Sequence, residues 1–222
     1  FEEEAMLTSS LGGSVASAVA SAIPVSDTVL VADDNTSYLA SHENFYNYMW
    51  SLPLYQTAGV SYTIGNDFNA TRKQIKDKSA KLGVYTEDQT KPYYGMTLVD
   101  IWIDYFNQKV NPENGLWEEK TSFAGTNGFM KLHSSYTLFG EPIPYPMEAA
   151  ESVIYNLTSN EDPSHVCHNY NLWVSINGIK ENVKKYGDPE TRDAVLAYID
   201  EALKENAVAM IEKTIERVSK FK

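Results

Sequence analysis

A single cysteine, Cys167, in 222 residues leaves no partner for an intrachain disulfide and rules out every multi-cysteine zinc, iron–sulfur or c-type haem motif. Positive charge is scarce as well. Eighteen Lys and Arg stand against thirty Asp and Glu, for a formal charge of −12. A surface of that sign repels a phosphate backbone, so nucleic acid is not an expected partner. The phosphate-cradling patterns G-x-x-x-x-G-K-[ST] and G-x-G-x-x-G are missing, as are the G-x-S-x-G elbow and the H-E-x-x-H zinc motif. Neither a repeat of solenoid period nor a low-complexity linker divides the chain. What is present is a 43% hydrophobic composition, ordinary for a domain with a buried core.

Residues 5–26 form the longest uncharged stretch, and Glu2, Glu3 and Glu4 precede it where a secretory signal would be basic. Leu7, Leu11, Val15, Val19 and Ile23 step by four along one helical face. Gly12, Ala16 and Ala20 let a second backbone come close. The segment has the length of a membrane span but is diluted with serine. The reading is a helix packing on a partner or on a membrane-embedded subunit, with a spanning helix as the alternative. Pro24 ends it. The β-branched residues 25–32 then suit a single strand or an extended arm. The opening Phe1 resembles the mature start of proteins imported into complex plastids of algae, which implies a plastid location; secretion is the alternative. Residues 1–36 are thus expected to be an uncharged packing segment and extended arm, and 37–222 a mostly helical domain.

Within that domain, 38–50 reads as a helix with Ser37 as N-cap, and 54–68 as loop or short strands. Residues 69–82 read as a short helix stopped by Gly83. Residues 96–110 fit a helix or a strand, with length favouring helix. Residues 111–145 hold four Gly and three Pro, and read as a loop-rich middle with a hairpin at Gly125–Thr126–Asn127–Gly128. Pro146, Pro163 and Pro189 each mark a helix start. The expected inward stripes are Val166, Tyr170, Trp173, Ile176, Ile179 and Val183, then Val195, Ile199, Leu203, Met210, Ile211, Ile215 and Val218. One tight Gly–Asp–Pro link between these last two helices predicts an antiparallel hairpin. The fold class is therefore mainly α, with that C-terminal hairpin, an extended N-terminal segment and long loops.

The candidate metal ligands are His165 and His168, three apart on one helical face, with His133 as third ligand and His42 or a carboxylate elsewhere as alternatives. His42, His133 and His168 are the side chains that could hold a pigment; neither pigment nor metal is fixed by the pattern. Cys167 reads as a small buried apolar residue, because His168 points about 100° away from it on a helix and cannot take its proton. Asp100 and Asp104 lie one turn apart on what should be a hydrated face. The basic residues Arg72, Lys73, Lys76, Lys78 and Lys81 read as a solvated face, with a docking patch for an acidic partner as the alternative. Fifteen Tyr, eight Phe and four Trp, with Tyr46 and Trp50 in one run, suit surfaces that are half dry and half wet.

Together these features point to a non-catalytic accessory or linker subunit of a larger, membrane-associated assembly, with a photosynthetic supercomplex as the setting if Phe1 is a guide. Its contacts would come from Leu7, Leu11, Gly12, Val15, Ala16, Val19, Ala20, Tyr46 and Trp50. The alternatives are a soluble metal-dependent enzyme using His165 and His168, and an extracellular ligand-binding module.

Overall fold

The structure is a computed structural model that describes residues 38–221. By contacts the chain divides into Phe1–Ala40 and Ser41–Lys222. The second unit holds seven helices and no strand among the described residues. The expected N-terminal helix, with Leu7, Leu11, Gly12, Val15, Ala16, Val19 and Ala20, and the arm at 25–32 lie outside the described residues.

Helix α1 spans His42–Trp50, and the Ser41 hydroxyl caps it by accepting from the Asn44 N–H at 3.1 Å. The helix thus starts four residues later than the pattern suggested. Helix α2, Val60–Leu82, is a larger correction, since its first nine residues read from the sequence as loop or short strands. Gly59 at its start has no side chain, so no local cap signals the helix. Glu118 supplies one from far along the chain. Its Oε1 accepts from the Gly59 N–H at 3.1 Å, the Ser61 N–H at 3.3 Å and the Ser61 hydroxyl at 2.6 Å. At the other end Gly83 takes φ 69°, as its place after the last turn implied.

Helix α3, Leu98–Lys109, settles the helix-or-strand ambiguity through a capping box in which Thr97 and Asp100 each bond the other's backbone N–H. Asp100 is a cap, and Asp104 accepts from Gln108 at 2.8 Å, so the two carboxylates are not a paired acid and base. Ile101, Trp102, Tyr105 and Phe106 fill the core side.

Helix α4, Phe123–Phe139, replaces the expected hairpin. Its glycines are contact points and not turns. A Cβ at Gly128 would sit 2.0 Å from the Ser61 Oγ, and one at Gly65 would sit 2.8 Å from the Lys131 Cβ. Small residues on both helices let α2 and α4 run side by side in the same direction. Ser61 meets Gly128, Asn69 bonds Ser134 and Lys76 reaches the Leu138 carbonyl. Two helix N-termini therefore lie together beside the Glu118 carboxylate, which suits their positive ends.

Helix α5 spans Pro146–Thr158, as Pro146 announced. Helix α6, Cys167–Tyr186, begins later than Pro163 implied. Helix α7 spans Pro189–Ser219, with Asp188 accepting from the Thr191 N–H at 3.0 Å. The antiparallel hairpin of α6 and α7 is present. Trp173 donates to Thr214 at 3.3 Å near one end, and Lys180 pairs with Asp200 at 2.5 Å nearer the turn. Arg217, 1% exposed, ties α7 back to α5 by donating to the Asn156 and Ser159 carbonyls at 3.0 and 2.7 Å.

Candidate functional site

Two of the six residues in the first expected inward stripe and three of the seven in the second face outward. On α6, Ile176, Ile179 and Val183 are buried, but Val166 is exposed and Tyr170 is 70% exposed. On α7, Val195, Ile199 and Met210 are buried and Leu203 is half-buried. Ile211, Ile215 and Val218, placed inward from the sequence, are exposed, and Val208 joins them at 71%.

The reason lies in helix geometry. At 3.6 residues per turn, Met210 and Arg217 share the core-facing line of α7, and Thr214 turns toward α6 to meet Trp173. Val208, Ile211, Ile215 and Val218 step by three, four and three around the next strip, outside Thr214. The strip therefore adjoins the α6 side that carries Tyr170 and Trp173, with Lys204 at its N-terminal end. Beyond the strip, away from α6, runs an exposed acidic row of Glu201, Glu205, Glu212 and Glu216. Glu216 pairs with Lys220 at 3.2 Å, whereas Glu201, Glu205 and Glu212 have no ion-pair partner among the described residues.

Scattered exposed apolar side chains need no explanation, but four β-branched ones in line on one strip do. Val and Ile are poorer helix formers than Ala, Glu or Lys, so a solvent-facing strip gains nothing from them. Such a strip is suited to being covered.

The histidines are only partly brought together. His165 and His168 stand edge to face with ring centroids 5.4 Å apart, His165 exposed and His168 buried against Phe123. Burial, helped by His165, lowers the His168 pKa. His133 packs instead against Gly178, ten residues further along α6 and so about 15 Å away in helix rise. No group of three or more His, Cys, Asp or Glu able to hold a metal occurs among the described residues, so the expected three-histidine site is not formed there. Of the pigment candidates, His42 has Nε2 engaged at 3.0 Å from the Gly83 carbonyl, and both ring nitrogens of His133 are buried without a hydrogen-bond partner.

Other expected residues have local roles. Tyr46 and Trp50 stack on each other at 4.0 Å and, half-buried, lean on Tyr93 and Tyr105. Cys167 is exposed and not a small core residue. In the basic run, Arg72 bonds Ser134, Lys73 pairs with Asp77, and Lys76 donates to the Leu138 carbonyl. No described helix is long and apolar enough to cross a membrane.

Comparison with family models, with curated proteins and with solved structures finds no match to this chain.

Proposed function

We propose that this chain is a non-catalytic accessory subunit that docks on a protein partner through the outer face of the α6–α7 hairpin. The observation that carries the reading is the uncovered strip of Val208, Ile211, Ile215 and Val218, with Tyr170 exposed beside it. The partner element is an amphipathic helix with Lys or Arg along one edge of its apolar face. Its apolar side chains cover the strip, and its basic edge meets Glu201, Glu205 and Glu212, which have no ion-pair partner among the described residues. The overall charge of −12 steers such a partner inward at a distance. A membrane setting draws on residues 5–26, by sequence alone.

The test uses the full chain and a synthetic amphipathic helix with Leu at heptad positions and Lys on one flank, read by fluorescence anisotropy. Ile211→Glu with Ile215→Glu should weaken binding about tenfold or more, since two buried apolar side chains are lost. The circular dichroism of the variant should be unchanged. A peptide with Glu in place of Lys should bind more weakly, and added salt should narrow the difference. Equal binding by wild type and variant overturns the proposal.

A further inference from the structure

A cleft of about 330 Å³ lies on a different part of the molecule, where the chain enters α2 and α4. Tyr55 and Ala58 line one side, and Glu118, Glu119, Lys120 and Ser122 the other. Its volume is at the lower end of small-ligand sites.

Glu118 is 6% exposed, and all of its side-chain hydrogen bonds fall on one carboxylate oxygen, which caps α2. The second oxygen, Oε2, has no hydrogen-bond partner among the described residues, while the side chain lines the cleft. Solvent still reaches that oxygen, so a ligand in the cleft that brings N–H groups takes the place of water there with charge-assisted hydrogen bonds. Beside it, Tyr55 holds a left-handed backbone, φ 68°, that non-glycine residues rarely adopt. Its hydroxyl donates to the Lys109 carbonyl, which fixes the ring as a wall of the cleft. Burial and the Glu118 charge push the Tyr55 phenol up to about 12, so it stays protonated and uncharged at neutral pH.

Glu119 adds a second carboxylate at the rim. Two carboxylates and a hydroxyl fall short of the six to eight oxygens that calcium takes. Lys120 is the cation at the cleft, and it makes no ion pair among the described residues.

We infer that this cleft binds a small organic ammonium ion on a short apolar body. Its N–H groups donate to the open oxygen of Glu118, and its body lies against the Tyr55 ring. Charge-assisted hydrogen bonds and the negative face of the ring both favour a cation there. Lys120 weakens the site and does not form part of it.

The probe is phenethylammonium, titrated calorimetrically into the full chain, with 2-phenylethanol as its uncharged counterpart. The ammonium should bind saturably and about tenfold or more tighter than the alcohol, the difference one charged hydrogen bond makes. Glu118→Gln should remove most of that preference while still offering an acceptor to α2. Ala58→Trp, which fills the cleft and leaves both capping residues, Glu118 and Ser122, in the chain, should abolish binding and keeps the test valid if Glu118→Gln unfolds. Lys120→Met should tighten binding. The inference is overturned if ammonium and alcohol bind alike or neither saturates, if Ala58→Trp binds as wild type, or if Lys120→Met weakens binding, as an anionic ligand would require.

Discussion

The imidazole of His133 occupies the space that a side chain at Gly178 would fill. A Cβ built on Gly178 would lie 2.2 Å from the His133 Cε1 and 2.7 Å from both ring nitrogens. Phe129 stacks near the ring at 5.5 Å, so the histidine has little freedom to move aside. This notch sets the spacing of α4 and α6 at mid-height.

Gly178→Ala should therefore destabilise the fold. Helix propensity alone would favour alanine by about 1 kcal/mol, but overpacking against His133 costs about 1–3 kcal/mol. Urea unfolding should show a net loss. Adding His133→Ala should recover part of it, because the two sites are in contact and couple. A fully additive double variant would contradict the notch.

His133 also makes stability depend on pH. Burial, with the charge of Arg72 adding to it, lowers its pKa from 6.5 to about 4. The folded state keeps the ring neutral, whereas the unfolded chain takes up a proton once the pH drops below about 6.5. This group's contribution is thus complete above pH 6.5, declines as the pH falls toward about 4, and is then constant. The full change is about 3 kcal/mol. His133→Leu should be near neutral at pH 7, since it also removes two unpartnered buried nitrogens. It should lose less stability than wild type between pH 7 and pH 4.5 in matched urea titrations. Parallel losses would show that this ring is not responsible.

Glu118 is the cap on which α2 depends. Glu118→Ala leaves the Gly59 and Ser61 N–H groups without an acceptor and should cost about 1–3 kcal/mol. Glu118→Gln should cost less. Hydrogen exchange gives the sharper reading: amides in the first turn of α2 should lose protection in Glu118→Ala, while those in α7 keep theirs.

Several helix ends are plain in the sequence, because their signals are local. Pro146, Asp188–Pro189 and Gly83 act on their own neighbours, and the α6–α7 hairpin follows from one short link. The first part of α2 and all of α4 were not legible in this way. Their glycines look like breakers until the partner helix is known, and the cap on α2 comes from Glu118, more than fifty residues away. The exposed strip is partly visible in the sequence: Ile211, Ile215 and Val218 belong to a helical period that reads as inward with Met210, and Val208 falls outside that period. An amphipathic helix with two apolar strips shows its period in sequence without showing which strip its neighbours cover. The cleft at Tyr55 was invisible, because its walls come from segments that meet only in the fold.

The exposed apolar strip itself should be dispensable for folding. Ile211→Glu and Ile215→Glu place charge at positions that are 51% and 62% exposed, so the urea midpoint should move by no more than about 0.5 kcal/mol in stability. A loss of several kcal/mol would mean that the strip is covered by this chain.

The most direct measurement is photo-crosslinking in native extract from a benzoylphenylalanine placed at Ile211 or Ile215, with Gln74 on the exposed side of α2 as control. The account predicts that both strip positions link to the same second protein, at a segment that forms an amphipathic helix with Lys or Arg beside its apolar face, and that Gln74 does not. Links only to another copy of this chain, or the same products from Gln74, would contradict it.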